Sequence, residues 1–510
     1  MNDETLAVHL VPQPQSMRRL PGSYDLRASR TLRTDDRNSA AAAVMDAWLE
    51  GYGVRVRPAD RDERGDITLQ IDSELPDEAY ELLVDAGITV CARDEAGVRY
   101  ALQTLRQLLP TRAFAPSPGA SLPLPCVAIS DRPRFGWRGA MLDVGRRFLP
   151  APYLLRYLDL MAAHKLNVLH LHLTEDAGWR MQIDRYPRLV EIGSRRPGTV
   201  VGRGNSDGPT DGVPHQGFYS KADLRRVVDH AARLGITVVP EIDVPGHTQA
   251  AIASYPELGN STDAPAVATG WGVGRHVLNA EDHTVAFFEG VLEEVLDVFP
   301  GRYVHLGGDE CVTEEWERSS SAQRRMAEAG LNHERELVAW FVTRLDRFLR
   351  DHGRRGIAWD ELVESGAAPD LTIMSWRSNA HGIEALRRGH DVIMAPQENT
   401  YFDFYQSRDR AGEPLAFDNL LTLRQAYDWD PAPDGVADLP GRVLGAQYQI
   451  WSEYVDGPEA VEYMSFPRAC AFAEVAWCGR RDYEAFLTRL DTHVRRLESA
   501  RVNYRPLSGI

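Results

Sequence analysis

Six consecutive residues, His305-Leu306-Gly307-Gly308-Asp309-Glu310, carry the chemistry of this sequence. They come after the strand-like pair Tyr303-Val304 and end on two adjacent carboxylates. Glycines at a strand end let a ligand approach the backbone closely. Two neighbouring acids are costly to hold together unless one keeps its proton or both are used. That arrangement suits acid–base chemistry, in which one carboxyl stays protonated near neutral pH while its neighbour stays charged. A turn with solvated acids is the better explanation of an isolated pair, so the rest of the chain must decide.

The elements around the pair form an alternating series. Gly139–Val144, Val168–Leu173, Thr237–Asp243, Tyr303–Gly308, Gly356–Trp359, Leu371–Trp376, Asp391–Ala395 and Val443–Tyr448 read as strands, with helical patterns at Tyr153–His164, Lys221–Leu234 and Asp282–Val298. Eight strands alternating with helices predict a (β/α)8 barrel with insertions. A doubly wound sheet is the alternative, but no glycine-rich phosphate loop succeeds the first strand. Ahead of this series, Leu6–Pro12, Asp66–Ile71, Tyr80–Val84 and Gly87–Ala92 read as strands and Ala96–Leu109 as an amphipathic helix. The expectation is a small α+β domain over 1–130, a Pro/Ser/Gly-rich boundary at Ala115–Pro125, and a barrel over 131–510.

The strand ends share a regularity. Asp143 and Arg146; Glu175 and Asp176; Asp243 and His247; Asp309 and Glu310; Trp359, Asp360 and Glu361; Trp376; Tyr401 and Asp403; Trp451 and Glu453 all stand at or after strand ends. In a barrel these positions meet at the C-terminal face, where such folds place their sites. Carboxylates and Arg bind hydroxyls through charge-assisted hydrogen bonds. Indoles cover the apolar face of a sugar ring. A lone Trp more often packs in a core, and His247 alone reads as well as a structural histidine. The register of the eight clusters shifts both readings towards a carbohydrate pocket.

Composition narrows the class. The chain has 510 residues, 43% hydrophobic and 26% charged, as in a globular protein of two or three domains. No stretch approaches the ~18–20 apolar residues of a membrane span. The net charge of −17 disfavours nucleic acid and anionic membranes as partners. Lysine occurs only at positions 165 and 221, the other basic residues being arginine. Met1–Thr5 has no signal-peptide pattern, so a cytoplasmic protein is expected unless an export signal lies outside this sequence. Five cysteines without metal-ligand spacing predict free thiols, no structural zinc and no cofactor.

The motifs Leu142-Asp143-Val144-Gly145-Arg146, His170–Asp176, Asp243–His247, His305–Glu310 and Phe466–Trp477 together resemble glycoside hydrolase family 20, the β-N-acetylhexosaminidases. The resemblance covers nearly all of the chain and implies an exo-acting, retaining, substrate-assisted hydrolase of β-linked GlcNAc or GalNAc. It implies Glu310 as general acid and then base, and Asp309 as the group that holds the 2-acetamido N–H. It implies Tyr401 as donor to the acetamido oxygen, with Trp359, Trp376 and Trp451 as walls. Arg146, Asp403 and Glu453 would bind ring hydroxyls, with Glu175 and Asp176 beside them. His247 and Asp243 would support Glu310, and Trp429 would lie towards the leaving group. Glu175 departs from the family, which often has Asp there. A barrel glycosidase with a direct carboxylate nucleophile and a non-catalytic sugar-binding protein remain alternatives. A metal-dependent hydrolase using His170 and His172 fits less well, since in this pattern both read as structural.

Overall fold

The computed structural model describes residues 8–34, 40–60, 65–114, 121–203, 208–261, 263–368, 370–479 and 482–507. The N-terminal part is a seven-stranded mixed sheet. Its order is Ser16–Asp25, Pro123–Asp131, Tyr80–Val84, Ile88–Ala92, Ile67–Ile71, Thr31–Thr34 and Arg57–Pro58. The first four strands in that order pair antiparallel and the rest parallel. The helix Glu95–Leu108 packs on it through Val98, Ala101, Leu102 and Leu105, the 3.6-residue stripe visible in the sequence. Asp94 starts this helix by accepting the Gly97 N–H at 2.9 Å.

Two expectations here change. No strand forms over residues 8–12, and Leu6 and Ala7 lie outside the described residues. The Gln107 side-chain amide takes both backbone groups of Val11, accepting its N–H at 2.9 Å and donating to its carbonyl at 2.6 Å. Those groups therefore need no strand partner. Of the loop expected at Ala115–Pro125, residues 115–120 are not described, and Pro123 already begins the strand Pro123–Asp131 of the N-terminal sheet.

The eight expected strands close into a parallel barrel: Trp137–Asp143, Val168–His172, Thr237–Glu241, Tyr303–His305, Arg355–Trp359, Thr372–Ser375, Val392–Met394 and Val443–Ile450. Each pairs with the next and the last with the first. The strands are buried on both faces, so they read as apolar runs rather than as alternation. A polar seam joins barrel and sheet. Lys165 Nζ donates to Asp131 Oδ2 at 2.8 Å and to the Tyr80 hydroxyl at 2.9 Å, and lies 4.3 Å above the Trp477 ring.

The fourth strand stops at His305, three residues earlier than expected. Gly307 and Gly308 come next at φ +67° and +94°, left-handed conformations that favour glycine. A Cβ on Gly307 would meet Asp243 Oδ1 at 1.6 Å, and one on Gly308 would meet Leu362 Cδ2 at 2.3 Å. The two glycines therefore let the chain turn sharply beneath its neighbours and deliver Asp309 and Glu310 to the barrel mouth.

Candidate active site

At that mouth lies a cavity of about 210 Å³. Asp309 and Glu310 enter it from the fourth strand, Trp376 from the sixth, Tyr401 and Asp403 from beyond the seventh, Trp451 and Glu453 from the eighth, and Arg146 from the first. The aromatic side is compact: Trp376 and Tyr401 are stacked with centroids 6.1 Å apart, and Tyr401 lies 6.2 Å from Trp451.

The polar side is organised by Arg146. Its guanidinium pairs with Asp143 at 3.1 Å, Glu175 at 2.6 Å and Glu453 at 3.3 Å. It also lies 5.1 Å over the Trp451 ring. Asp143 takes the Ser452 N–H and hydroxyl at 3.1 and 2.9 Å, which ties the first strand end to the eighth. Both oxygens of buried Asp403, Oε2 of Glu453 and Oδ1 of Asp309 have no hydrogen-bond partner among the described residues. Buried acceptors are nearly always satisfied, so these four oxygens point to a ligand rich in donors. Burial pushes the Glu453 carboxyl up to about 7 against the pull of Arg146. Burial, with the Glu453 charge, raises Asp403 well above the usual range.

The acid pair is asymmetric. Burial, then the Asp243 charge, raises Asp309 well above an ordinary aspartate, and His247 only partly opposes this. Burial would raise Glu310 too, but the hydrogen bond and charge of His247 outweigh it, helped by Arg146, and hold Glu310 low. The two neighbouring carboxyls are thus pushed in opposite directions, Asp309 up and Glu310 down. His247 reaches both acids through Nε2, at 3.5 Å from Glu310 Oε2 and 3.8 Å from Asp309 Oδ2. Its Nδ1 lies 3.2 Å from Glu175 Oε2 and 3.6 Å from Asp176 Oδ2. Burial would keep this ring neutral, but the Glu175 charge and its carboxylate partners raise it well above an ordinary histidine. Both His247 and Glu310 sit at positive φ, +52° and +47°, uncommon for side-chain-bearing residues and typical of functional sites.

Several predicted residues stand behind the cavity rather than on it. Asp243 accepts the Gly308 N–H at 3.1 Å; it braces the glycine turn, while His247 alone touches Glu310. Trp359 is fully buried, donates to Glu241 Oε1 at 2.9 Å, and lies 6.0 Å beneath the Trp451 ring. Asp176 accepts the Gln249 N–H at 2.9 Å. Trp429 also stands off this cavity. Its buried indole donates to Asn379 Oδ1 at 2.9 Å, and it is not among the cavity's lining residues. The long stretch between Tyr401 and Trp429 instead forms a ribbon, Phe404–Tyr405 with Phe417–Leu420, that puts Phe417 and Asn419 on the cavity wall.

Glu241 was not expected from the sequence, and Glu361 was named there only as a strand-end acid. Glu241 is the hub beneath the site, contacted by His172 Nδ1, by His170 at 3.1 Å and by His305 at 2.9 Å. The alternation of His170 and His172 was the available signal, and it meant one buried carboxylate. Glu361 receives the Trp376 indole N–H between its two oxygens, at 3.1 and 3.0 Å. Burial and then the Asp309 charge raise Glu361 well above an ordinary glutamate.

Known proteins share this architecture. The family model "Glycosyl hydrolase family 20, catalytic domain" matches residues 135–480, and "Glycosyl hydrolase family 20, domain 2" matches 7–132. This chain belongs to glycosyl hydrolase family 20. A β-hexosaminidase of Porphyromonas gingivalis is 36% identical over 98% of the chain, which spans 64% of that relative. A β-N-acetylhexosaminidase of Cellulomonas fimi is 32% identical, covering 95% of this chain and 93% of its own. Among solved structures, the family 20 exo-β-N-acetylglucosaminidase of Vibrio harveyi, in complex with N-acetylglucosamine, superposes with a TM-score of 0.84 at 33% identity. That match covers 98% of this chain and 78% of the other.

Proposed function

We propose that this family 20 chain is an exo-acting, retaining β-N-acetylhexosaminidase that removes terminal β-linked N-acetylhexosamine with the help of the substrate's own acetamido group. The observation that carries this reading is the cavity itself: adjacent Asp309 and Glu310 face an aromatic wall of Trp376, Tyr401 and Trp451, opposite the unsatisfied oxygens of Asp403 and Glu453. The aromatic end suits an acetamido methyl and the polar end suits ring hydroxyls. The relatives' names, β-hexosaminidase and β-N-acetylhexosaminidase, support the substrate class.

In the proposed reaction the acetamido oxygen attacks the anomeric carbon as the glycosidic C–O bond breaks. Glu310 gives its proton to the departing oxygen. Asp309, as carboxylate, accepts the acetamido N–H and stabilises the oxazolinium ion. Water then attacks the same carbon and loses a proton to Glu310, and two inversions leave the configuration retained. Intramolecular attack supplies the proximity advantage without a protein nucleophile; the family is one of the substrate-assisted exceptions to two-carboxylate glycosidase chemistry.

This sequence of steps needs the proton on Glu310, whose carboxyl is held low in the free chain while that of Asp309 is held high. Substrate binding reverses the preference. The sugar covers the exposed side of Glu310 and removes water from it, which raises its pKa. The acetamido N–H gives Asp309 a donor, which favours its charged form. Turnover of aryl β-glycosides of GlcNAc, GalNAc and glucose tests the proposal: the first two are cleaved with retained configuration and the glucoside is not. Binding of GlcNAc without turnover would leave a sugar-binding protein instead.

A further inference from the structure

Away from the sugar pocket, three side chains from three helices converge on one buried point. His164 caps the C-terminus of helix Ala151–Ala163, Cys470 lies in helix Arg468–Trp477, and His493 lies in the C-terminal helix Tyr483–Ser499. His164 Nε2 is 2.9 Å from His493 Nε2 and 3.4 Å from Cys470 Sγ. All three ligand atoms fall within 4.8 Å of one another, and the residues are at most 2% exposed. We propose that His164, Cys470 and His493 form a structural site for a thiophilic d10 cation, Zn²⁺ or Cu⁺, which fastens the C-terminal helix to the barrel.

The local chemistry fits such an ion. Tetrahedral zinc with bonds of about 2.0 Å to nitrogen and 2.3 Å to sulfur sets nitrogen–nitrogen and nitrogen–sulfur separations of roughly 3.3 and 3.6 Å. The two distances to His164 Nε2, 2.9 and 3.4 Å, lie within a few tenths of an ångström of these, and the third pair closes by moving His493 and Cys470 from within 4.8 Å onto one ion. His164 Nδ1 lies 2.7 Å from the Leu160 carbonyl, so it carries the proton and Nε2 presents a lone pair. A second-sphere carbonyl of this kind commonly orients a metal-ligating histidine. Burial lowers His164 to about 4 and His493 well below an ordinary histidine, which keeps both rings neutral and able to ligate. The end of the Ala151–Ala163 helix turns its carbonyl dipoles towards the point and favours a cation. A cavity of about 160 Å³, lined by both histidines and by Asp159, supplies an entry path and room for water as a fourth ligand.

Without an ion, the His493 N–H and the Cys470 S–H both aim at one His164 lone pair, which serves only one of them well. On metal binding the Cys470 thiol, held up by burial, releases its proton to solvent as the metal–sulfur bond forms. His493 moves its proton from Nε2 to Nδ1, giving up only the 3.5 Å contact from Arg496. Arg496 and Arg106 raise the electrostatic cost of a dication, and the thiolate offsets one positive charge. Sequence spacing could not show the set, because His164 and Cys470 are 306 residues apart.

The test uses the full chain, stripped by dialysis against a chelator and titrated separately with Zn²⁺ and, anaerobically, Cu⁺. The expected result is one equivalent bound with one proton released, a rise in melting temperature, and a thiolate-to-metal charge-transfer band when Co²⁺ is substituted. Cys470→Ser and His493→Gln should each weaken binding roughly 100-fold or more, since even outer partners of metal sites contribute 10–100-fold. Retained turnover of an aryl N-acetylglucosaminide reports that each variant is folded. Substoichiometric binding of both ions to the wild type overturns the site, as does a cobalt spectrum without a thiolate band. Equal affinity in wild type and both folded variants overturns it too. None of these outcomes bears on the sugar-pocket assignment, which is read from turnover.

Discussion

His247 and Glu310 form an ion pair, Nε2 to Oε2 at 3.5 Å, in which the histidine is buried and the glutamate borders the open cavity. The ring's other nitrogen faces Glu175 and Asp176. A cation held from behind by two carboxylates thus sets the proton affinity of the catalytic pair in front.

The first prediction is for pH dependence. The His247 charge lowers both Glu310 and Asp309. Replacing it in His247→Gln removes that charge, so both carboxyls rise. The singly protonated pair, the form that reacts, then persists to higher pH. Both limbs of the kcat/KM profile should move towards alkaline pH, as macroscopic properties of the coupled pair. A profile that keeps its position, or moves towards acid, contradicts this.

Glu310→Gln should remove most turnover on substrates with poor leaving groups, by roughly 10²–10⁴. With an activated aryl leaving group the loss in kcat/KM should be much smaller, because little protonation is needed. Equal losses with both leaving groups contradict the acid assignment.

Trp451 and Trp477 should separate binding from stability. Trp451 borders the cavity under Arg146, so Trp451→Ala should weaken an N-acetylglucosamine-type inhibitor. Trp477 is fully buried against the N-terminal sheet and donates to Asp131 at 3.0 Å. Trp477→Ala should instead lower the melting temperature, at a cost of about 3–5 kcal/mol for a large-to-small core change. Isothermal titration and thermal unfolding on the two variants check this; equal inhibitor affinity in wild type and Trp451→Ala removes Trp451 from the site.

Glu175→Ala should be severe although Glu175 does not line the cavity. It leaves Arg146 and His247 without a buried partner that stands at 2.6 and 3.2 Å. Breaking a buried pair typically costs about 3–5 kcal/mol. Glu175→Asp shortens the reach to Arg146 by a methylene and should recover charge but not full geometry. Stability regained with a raised KM supports that division; an Asp variant no better than Ala contradicts it.

The barrel was legible because each strand is a short apolar run with polar residues after it, and the burial of those runs on both faces is what the pattern encodes. The site was legible to the same depth: residues one to five places beyond a strand end reach the mouth, as Arg146, Glu310, Trp451 and Glu453 do. Deeper residues were not. Glu241 belongs to a strand, and only its partners from three other strands, His170 and His172, His305, and Trp359, give it meaning. Phe417 and Asn419 come from an insertion whose ribbon pairing leaves no strand-end signature. Trp429 was placed towards the leaving group by the resemblance alone; in the structure its indole hydrogen-bonds Asn379.

The central claim is that the substrate's acetamido oxygen, rather than a carboxylate of the chain, is the nucleophile, and fluorination of the acetyl methyl tests it most directly. Each fluorine drains charge from that oxygen without changing the leaving group. Across aryl glycosides bearing mono-, di- and trifluoroacetamido groups, kcat should fall steeply and regularly, while Asp309→Asn should lose most of its turnover on the parent substrate. A series with unchanged kcat, or a 2-fluoro sugar recovered as a covalent ester on any carboxylate, would contradict the claim and place the nucleophile in the protein.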